Sequence, residues 1–216
     1  MTNSSNPIDL RQALRLYLAT DDSLLDNCDP VAPILCAVDG GVTMVQLRLK
    51  TATTGAVFEI GKLLLDALRP RGVPLIVNDR VDLMLALDAD GVHVGRQDLP
   101  LPEVRRLAGD KIVGFSVNAL EGLTFAEGNG ADYIGVGPAF ATGTKRDTGP
   151  VLGVEGVKNI CAAASMPCVA IGGINASNIS EIMTTGVAGC CVVSAILGAA
   201  APCAAAQGLA SAIYTT

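Results

Sequence analysis

The sequence has no tryptophan, a single histidine and only 3% aromatic residues. Its cysteines number seven and include no Cys-x-x-Cys pair, which argues against a disulfide framework and a zinc site. We expect them to behave as small apolar residues in a reducing cytoplasm. Basic residues are not in excess, since 15 of them accompany 21 acidic residues and the net charge is −6. That balance is opposite to the footprint of a nucleic-acid-binding protein, so nucleic acid is not an expected partner.

A long hydrophobic run is also missing. The longest apolar stretch, residues 187–201, is shorter than the roughly 20 residues of a membrane span, and Gly189, Ser194 and Gly198 interrupt it. Residues 1–6 show no basic region followed by an apolar one, which a secretory signal would need. We expect a soluble cytoplasmic protein with no membrane partner and a disordered tail at residues 1–6. Assembly into a homo-oligomer stays open.

The sequence does contain a repeated alternation of two patterns. Eight short runs rich in Val, Ile and Leu predict strands at residues 16–18, 44–48, 74–78, 91–95, 112–117, 133–137, 168–172 and 190–194. Helical apolar spacing lies between them at residues 56–68, 81–87, 102–108, 120–128, 154–164 and 177–185, the last with Ser177 and Asn178 placed to cap it. Strands that alternate with helices indicate a parallel sheet. Eight such units favour a single-domain (β/α)₈ TIM barrel over residues 1–216, rather than an open doubly wound sheet.

Polar residues follow the second predicted strand, and barrels of this type carry their chemistry at the carboxyl ends of their strands. Alternation places Gln46, Arg48 and Lys50 on one face. Two cations beside an amide suit a bound anion. The alternative is a solvated strand end without a ligand.

The third and fourth predicted strands end in acidic residues, Asp79 and Asp98. Carboxylates at adjacent strand ends, without accompanying His or Cys, predict a shared Mg²⁺ ion that also holds substrate phosphate. The alternatives are local, with Asp79 as the N-cap of the next helix and Asp98 as a turn residue.

The fifth predicted strand brings Ser116 to the same end of the barrel. The single histidine, His93, falls within the fourth strand and is interpreted as a barrel-interior residue. Ser116 therefore lacks a recognisable activating base, and we predict a hydrogen-bond donor rather than a nucleophile.

The last three strands offer a second set of anion ligands. The loop at residues 137–147 combines hydroxyls and cations, including Thr142, Thr144 and Lys145, and either wraps a phosphate, gates the site or is disordered. After the seventh and eighth strands, Gly173 and Ser194 lie where such barrels commonly bind phosphate through backbone amides.

In this order, the segments resemble the thiamine phosphate synthase (thiamine-phosphate diphosphorylase) family, from residue 16 to about residue 197. The resemblance is carried by Gln46-x-Arg48-x-Lys50, Asn78-Asp79, Gly91-Val92-His93-Val94-Gly95, Gln97-Asp98-Leu99-Pro100, Gly114-Phe115-Ser116, Ala131-Asp132-Tyr133-Ile134-Gly135-Val136-Gly137-Pro138, Thr142-Gly143-Thr144-Lys145, Ile171-Gly172-Gly173-Ile174 and Val193-Ser194-Ala195-Ile196.

The resemblance implies a TIM barrel that joins 4-amino-2-methyl-5-hydroxymethylpyrimidine diphosphate to 4-methyl-5-(2-phosphoethyl)thiazole, giving thiamine phosphate and pyrophosphate. It implies that Asp79 and Asp98 hold Mg²⁺ on the pyrimidine diphosphate. The implied contacts to that substrate are Gln46, Arg48, Lys50, Asn78, Ser116 and Lys145, of which Arg48, Lys50, Ser116 and Lys145 are the expected catalytic residues. The implied contacts to the thiazole phosphate are Thr142, Thr144, Gly173, Val193 and Ser194.

Two positions depart from the family pattern. Asn118 stands where members often carry histidine, and Arg96 replaces the more usual glutamine. Two other functions fit the same barrel, a thiazole tautomerase and a non-catalytic sensor of phosphorylated metabolites. The cations and carboxylates of the diphosphate side favour the synthase over the tautomerase, whereas a sensor would bind the same ligands and differ only in releasing no pyrophosphate.

Overall fold

The computed structural model describes residues 8–25, 29–143 and 149–215, so the tail predicted at residues 1–6 lies outside it. The described strands are β1 (Leu16–Ala19), β2 (Met44–Leu47), β3 (Leu75–Asn78), β4 (Gly91–Val94), β5 (Ile112–Val117), β6 (Tyr133–Val136), β7 (Cys168–Ile171) and β8 (Gly189–Val192). The described helices are α1 (Leu10–Ala13), α2 (Asp22–Leu25), α3 (Ala32–Asp39), α4 (Thr54–Leu68), α5 (Val81–Leu87), α6 (Leu101–Ala108), α7 (Leu120–Gly128), α8 (Gly153–Ala163), α9 (Ile179–Met183), α10 (Ser194–Leu197) and α11 (Pro202–Thr215).

The strands described above form one closed barrel in which each strand pairs with the next along the chain. β8 returns to pair in parallel with β1, with Cys191 beside Tyr17 and Val192 beside Leu18. The structure therefore confirms the predicted (β/α)₈ TIM barrel. Each predicted strand overlaps an observed one, but the eighth ends at Val192 because Ser194 already begins α10.

Side chains of the strands alternate between two apolar compartments. Leu18 and Val45 point outward into the layer between barrel and helices. Tyr17, Met44 and Tyr133 point inward and fill the barrel interior. Because helices cover the outer face, both faces of each strand are buried, which explains the near-continuous apolar runs.

The helix α4 shows how local sequence sets an element's bounds. Thr53 accepts a hydrogen bond from the Ala56 N–H at 3.3 Å and caps the first turn, so the helix begins two residues before the predicted 56–68 segment. Val57, Leu64 and Leu68 form its buried face. None of the helices in the described ranges has the length and apolar character needed to cross a membrane.

The start of α9 agrees only partly with the prediction, because Asn178 occupies the N-cap position but its side chain makes no capping hydrogen bond. Ser177 Oγ donates to Asn175 Oδ1 at 2.7 Å, and Asn178 Nδ2 donates to the Gly173 carbonyl at 3.0 Å. These side chains bind the turn after β7 instead of capping the helix, because a short side chain there reaches the turn's own backbone. The helix is consequently shorter than the predicted 177–185, and the turn that carries Gly173 is firmly held.

Candidate active site

A cavity of about 1770 Å³ opens at the carboxyl ends of the strands. Every predicted site residue within the described ranges lines it, namely Gln46, Arg48, Lys50, Asn78, Asp79, Asp98, Ser116, Thr142, Gly173, Val193 and Ser194. The predicted Thr144 and Lys145 lie outside the described residues. Arg96 and Asn118, the two departures from the family pattern, line the same cavity.

The wall formed by the end of β2 carries an amide and two cations, as alternation predicts. Gln46 is only 5% exposed, and its Nε2 donates to Tyr17 OH at 2.7 Å. Arg48 Nη1 donates to Asp21 Oδ2 at 2.7 Å in a mostly buried ion pair. Lys50 Nζ forms an ion pair with Asp79. The alternative interpretation, a solvated strand end, is therefore wrong for Gln46 and Arg48, although the Lys50 side chain is half exposed.

The segment directly after β1 holds this wall in place, and the sequence analysis missed it. Thr20 Oγ1 accepts from the Arg48 N–H at 2.8 Å and donates to the Arg48 carbonyl at 3.1 Å. The Asp22 carboxylate accepts the backbone N–H groups of residues 50–52 at 2.5 to 3.2 Å. Burial raises the pKa of Asp22, but these backbone hydrogen bonds outweigh it, and the net shift is downward. The sequence does contain a signal for this segment, namely three consecutive polar residues, 20–22, after the first predicted strand.

The carboxyl groups of Asp79 and Asp98 are neighbours in the cavity, close enough for each to shift the pKa of the other. Burial raises the pKa of Asp79, but the Lys50 ammonium, which donates a hydrogen bond to it, and the Asp98 carboxyl lower it, with a net decrease. Burial also raises the pKa of Asp98. The hydrogen bond from the Gly95 N–H lowers this pKa and the Asp79 carboxylate raises it, and the net shift is an increase. Two carboxylates this close repel one another when both are ionised, so one of them retains a proton more readily.

The local alternatives for these two aspartates have different outcomes. The backbone of Asp79 has a φ of +60°, in the left-handed region, and its side chain contacts Lys50 and Asp98 rather than capping α5. The N-cap interpretation is therefore wrong. Asp98 does serve as a turn residue, since its Oδ2 accepts from the Gly95 N–H at 2.7 Å. It makes that bond while also contacting Asp79.

The oxygen pair fits a divalent cation that needs few protein ligands. Among the described residues, no group of three or more His, Cys, Asp or Glu side chains is arranged to hold a metal ion. Two aspartates alone match Mg²⁺, which is bound through one or two carboxylates together with waters and substrate phosphates. A cation between the two carboxylates would also offset the repulsion that raises the pKa of Asp98.

Ser116 has a close imidazole neighbour, which contradicts the expectation that no base lies beside it. His93 Nε2 lies 2.9 Å from Ser116 Oγ. The contact arises because His93 pairs with Gly114 across β4 and β5, so Ser116, two residues further on, shares its face. His93 lies inside the barrel as expected, with its Nδ1 3.0 Å from Tyr133 OH.

The opposite wall of the cavity is built from the loops after β6, β7 and β8. Gly173 has a φ of +66°, and a Cβ atom there would lie 2.5 Å from the Ala141 carbonyl oxygen, so only glycine fits without a shift. This close approach brings the β7 loop against the β6 loop that carries Thr142. Ser194 lies exposed at the start of α10 and faces the same cavity. The cavity thus has a charged side and a side of hydroxyls and backbone.

Residues 16–196 match the family model described as Thiamine monophosphate synthase. A relative named Thiamine-phosphate synthase, from Desulfitobacterium hafniense (strain Y51), is 50% identical over 195 residues, which cover 90% of this chain and 94% of the relative. One of the same name from Pyrococcus furiosus is 43% identical over 192 residues, covering 89% and 91%.

Similar solved structures agree with these matches. Thiamine phosphate pyrophosphorylase from Pyrococcus furiosus superposes with a TM-score of 0.89 at 40% identity, covering 96% of this chain and 98% of that one. A 3-hexulose-6-phosphate synthase superposes with a TM-score of 0.70 at 16% identity, covering 92% and 99%. This second likeness concerns the fold alone.

Proposed function

The chain belongs to the thiamine monophosphate synthase family and is an enzyme of that type, and we propose that it condenses the pyrimidine diphosphate with the thiazole phosphate named above, releasing pyrophosphate. The observation that supports this reaction most directly is the neighbouring carboxyl pair Asp79 and Asp98 beside the Lys50 ammonium. Carboxylates for a cation and an ammonium for phosphate oxygens meet there, which suits a metal-bound diphosphate.

On the diphosphate side, the described residues have roles that their contacts support. Asp79 and Asp98 would hold Mg²⁺, which when bound neutralises charge on the leaving diphosphate. Arg48, fixed by Asp21, and Lys50 contribute positive charge toward the same group. Gln46 and Asn78 line the cavity where the pyrimidine ring would lie. Ser116, which lines the same cavity, is proposed as a further diphosphate ligand, and so is Lys145, from its motif alone.

The reaction requires little acid–base catalysis by the protein. The diphosphate leaves with both electrons of the C–O bond, and the electron-rich aminopyrimidine stabilises the cationic methylene carbon that remains. The thiazole nitrogen then donates its lone pair to form the C–N bond. This chain's residues bind the leaving anion, orient the two rings and exclude water.

On the other wall, Thr142, Gly173, Val193 and Ser194 are proposed to hold the thiazole phosphate, together with Thr144. For the four described residues, the support is their common position across the cavity from the charged side; Thr144 is included from its motif alone. The close approach at Gly173 brings the β7 loop and the β6 loop together on this wall. The two substrates would thus meet with the pyrimidine methylene facing the thiazole nitrogen.

The test is to incubate the purified protein with both substrates and Mg²⁺ and to measure thiamine phosphate and pyrophosphate. We expect both products in equal amounts, and none when Mg²⁺ is chelated. A tautomerase would isomerise the thiazole without releasing pyrophosphate. A sensor would bind both ligands without forming any product, and either result would overturn the proposal.

A further inference from the structure

A continuous chain of hydrogen bonds crosses the floor of the cavity. Gln46 Nε2 lies 2.7 Å from Tyr17 OH, which lies 3.0 Å from Tyr133 OH. Tyr133 OH lies 3.0 Å from His93 Nδ1, and His93 Nε2 lies 2.9 Å from Ser116 Oγ. The chain therefore connects the proposed pyrimidine ligand Gln46 with the proposed diphosphate ligand Ser116. Its three middle members contact neither substrate in the proposed mechanism.

The barrel is shaped to hold the centre of this chain. A Cβ atom at Gly114 would lie 2.2 Å from Tyr133 Cζ and 2.4 Å from His93 Nδ1, so the glycine leaves the space in which the two rings meet. Tyr17 and Tyr133 are each at most 1% exposed. Burial raises the pKa of both hydroxyls, so each keeps its single proton.

One direction of donation runs unbroken through the chain. Gln46 Nε2 can only donate, so Tyr17 accepts from it, and in the unbroken direction Tyr17 donates its own proton to Tyr133. Tyr133 in turn donates to His93 Nδ1, which must then be the unprotonated nitrogen of a neutral imidazole. The imidazole proton is left on Nε2, where it donates to Ser116 Oγ. The Ser116 proton is then not used within the chain.

We propose that Tyr17, Tyr133 and His93 are positioning residues that hold His93 as the Nε2–H tautomer and so keep the Ser116 hydroxyl proton directed at the leaving diphosphate. This inference rests on the proposed function for its last step. It explains why a Ser–His contact of 2.9 Å is not a nucleophile–base pair here: the imidazole gives a proton to the hydroxyl instead of taking one. In the reverse direction, Tyr17 would accept from both Gln46 and Tyr133, and His93 Nδ1 would carry the imidazole proton.

The single histidine makes the tautomer directly measurable. In the full-length protein labelled with ¹⁵N-histidine, long-range ¹H–¹⁵N NMR reports one imidazole without any assignment problem. We expect a protonated, pyrrole-type Nε2 and an unprotonated, pyridine-type Nδ1 that accepts a hydrogen bond. A protonated Nδ1 would overturn the proposal. The measurement needs no substrate, so it fails or succeeds independently of the condensation assay.

Tyrosine-to-phenylalanine variants then separate positioning from packing. Tyr133→Phe removes the donor to Nδ1, so we expect the Nδ1 signal to move toward that of a nitrogen without a hydrogen bond. We expect kcat to fall about tenfold while the KM for the pyrimidine diphosphate stays within about twofold, since the lost orientation acts on the leaving group. Tyr214→Phe is the matched control on exposed α11, and it should leave the signal and kcat unchanged. An unmoved Nδ1 signal in Tyr133→Phe would contradict the proposed direction.

Discussion

Asp79 and Asp98 come from the ends of different strands, yet their carboxyl groups lie close enough to shift each other's pKa. The two shifts in pKa are opposite, downward for Asp79 beside Lys50 and upward for Asp98. Such a pair is costly unless a positive charge joins it, and Lys50 supplies only part of that charge from a half-exposed position. This contact is therefore the main support for a cation site at this end of the barrel.

Replacing Asp79 with asparagine keeps the shape of the side chain and its tolerance of a positive φ but removes its charge. We expect kcat/KM for the pyrimidine diphosphate to fall about a hundredfold, since metal contacts are worth several kcal/mol. Raised Mg²⁺ should recover part of the loss in steady-state assays. Asp82→Asn, at an exposed pair with Arg80, is the matched control. Unchanged activity of Asp79→Asn at limiting Mg²⁺ would remove Asp79 from the metal role.

Asp22 should stabilise the β2 loop in a pH-dependent manner. Its folded-state pKa is lowered, so its contribution is present above the unfolded-state pKa of about 3.9 and is lost as the pH falls through the folded-state value. We expect Asp22→Ala to lower the free energy of unfolding by about 1 kcal/mol at neutral pH, measured by urea denaturation. The difference from the wild type should shrink near pH 3. A difference that grows on acidification would contradict this role.

Ser194→Ala tests the assignment of the two walls. Loss of one hydrogen bond to a phosphate should raise the KM for the thiazole phosphate about tenfold and change that for the pyrimidine diphosphate less. Ser211→Ala, on the exposed face of α11, should change neither value. If the pyrimidine KM rises more, the two pockets have been assigned the wrong way round.

Gly173→Ala tests the close approach of the β7 loop to the β6 loop. A Cβ at this position would clash with the Ala141 carbonyl, and alanine would have to adopt the left-handed backbone conformation of Gly173. We therefore expect a loss of about 1–3 kcal/mol in the free energy of unfolding. Gly55→Ala is the matched control, because it lies in α4 with nothing within 4 Å of the added atom. Helix propensity predicts that this control is slightly stabilising. Equal effects of the two substitutions in thermal unfolding would remove the steric argument.

The barrel and most of one cavity wall follow from sequence patterns. The strands alternate regularly with helices, and Gln46, Arg48 and Lys50 occupy one face by simple alternation. Helices of a single turn, such as α2 and α10, escape such patterns because four residues cannot display a helical period. The long α11 is also absent from the prediction, since its alanine-rich segment has little contrast between faces.

Contacts between distant segments are the part that pattern reasoning did not reach. Asp22 holds the backbone of residues 50–52, and His93 meets Ser116, through side chains that come together only when strands are paired in register. The Tyr17 to Tyr133 contact joins residues 116 positions apart in the sequence. Periodicity places each of these residues on one face of its strand, but the register between neighbouring strands decides which of them are in contact.

The most direct test of the cation site is a crystal structure of the protein with Mg²⁺ and pyrophosphate. The account predicts one ion that is liganded by both Asp79 and Asp98, directly or through a water molecule, and that also contacts pyrophosphate oxygens near Lys50 and Arg48. An ion bound by only one of these aspartates, or pyrophosphate bound at the wall of Gly173 and Ser194, would contradict it.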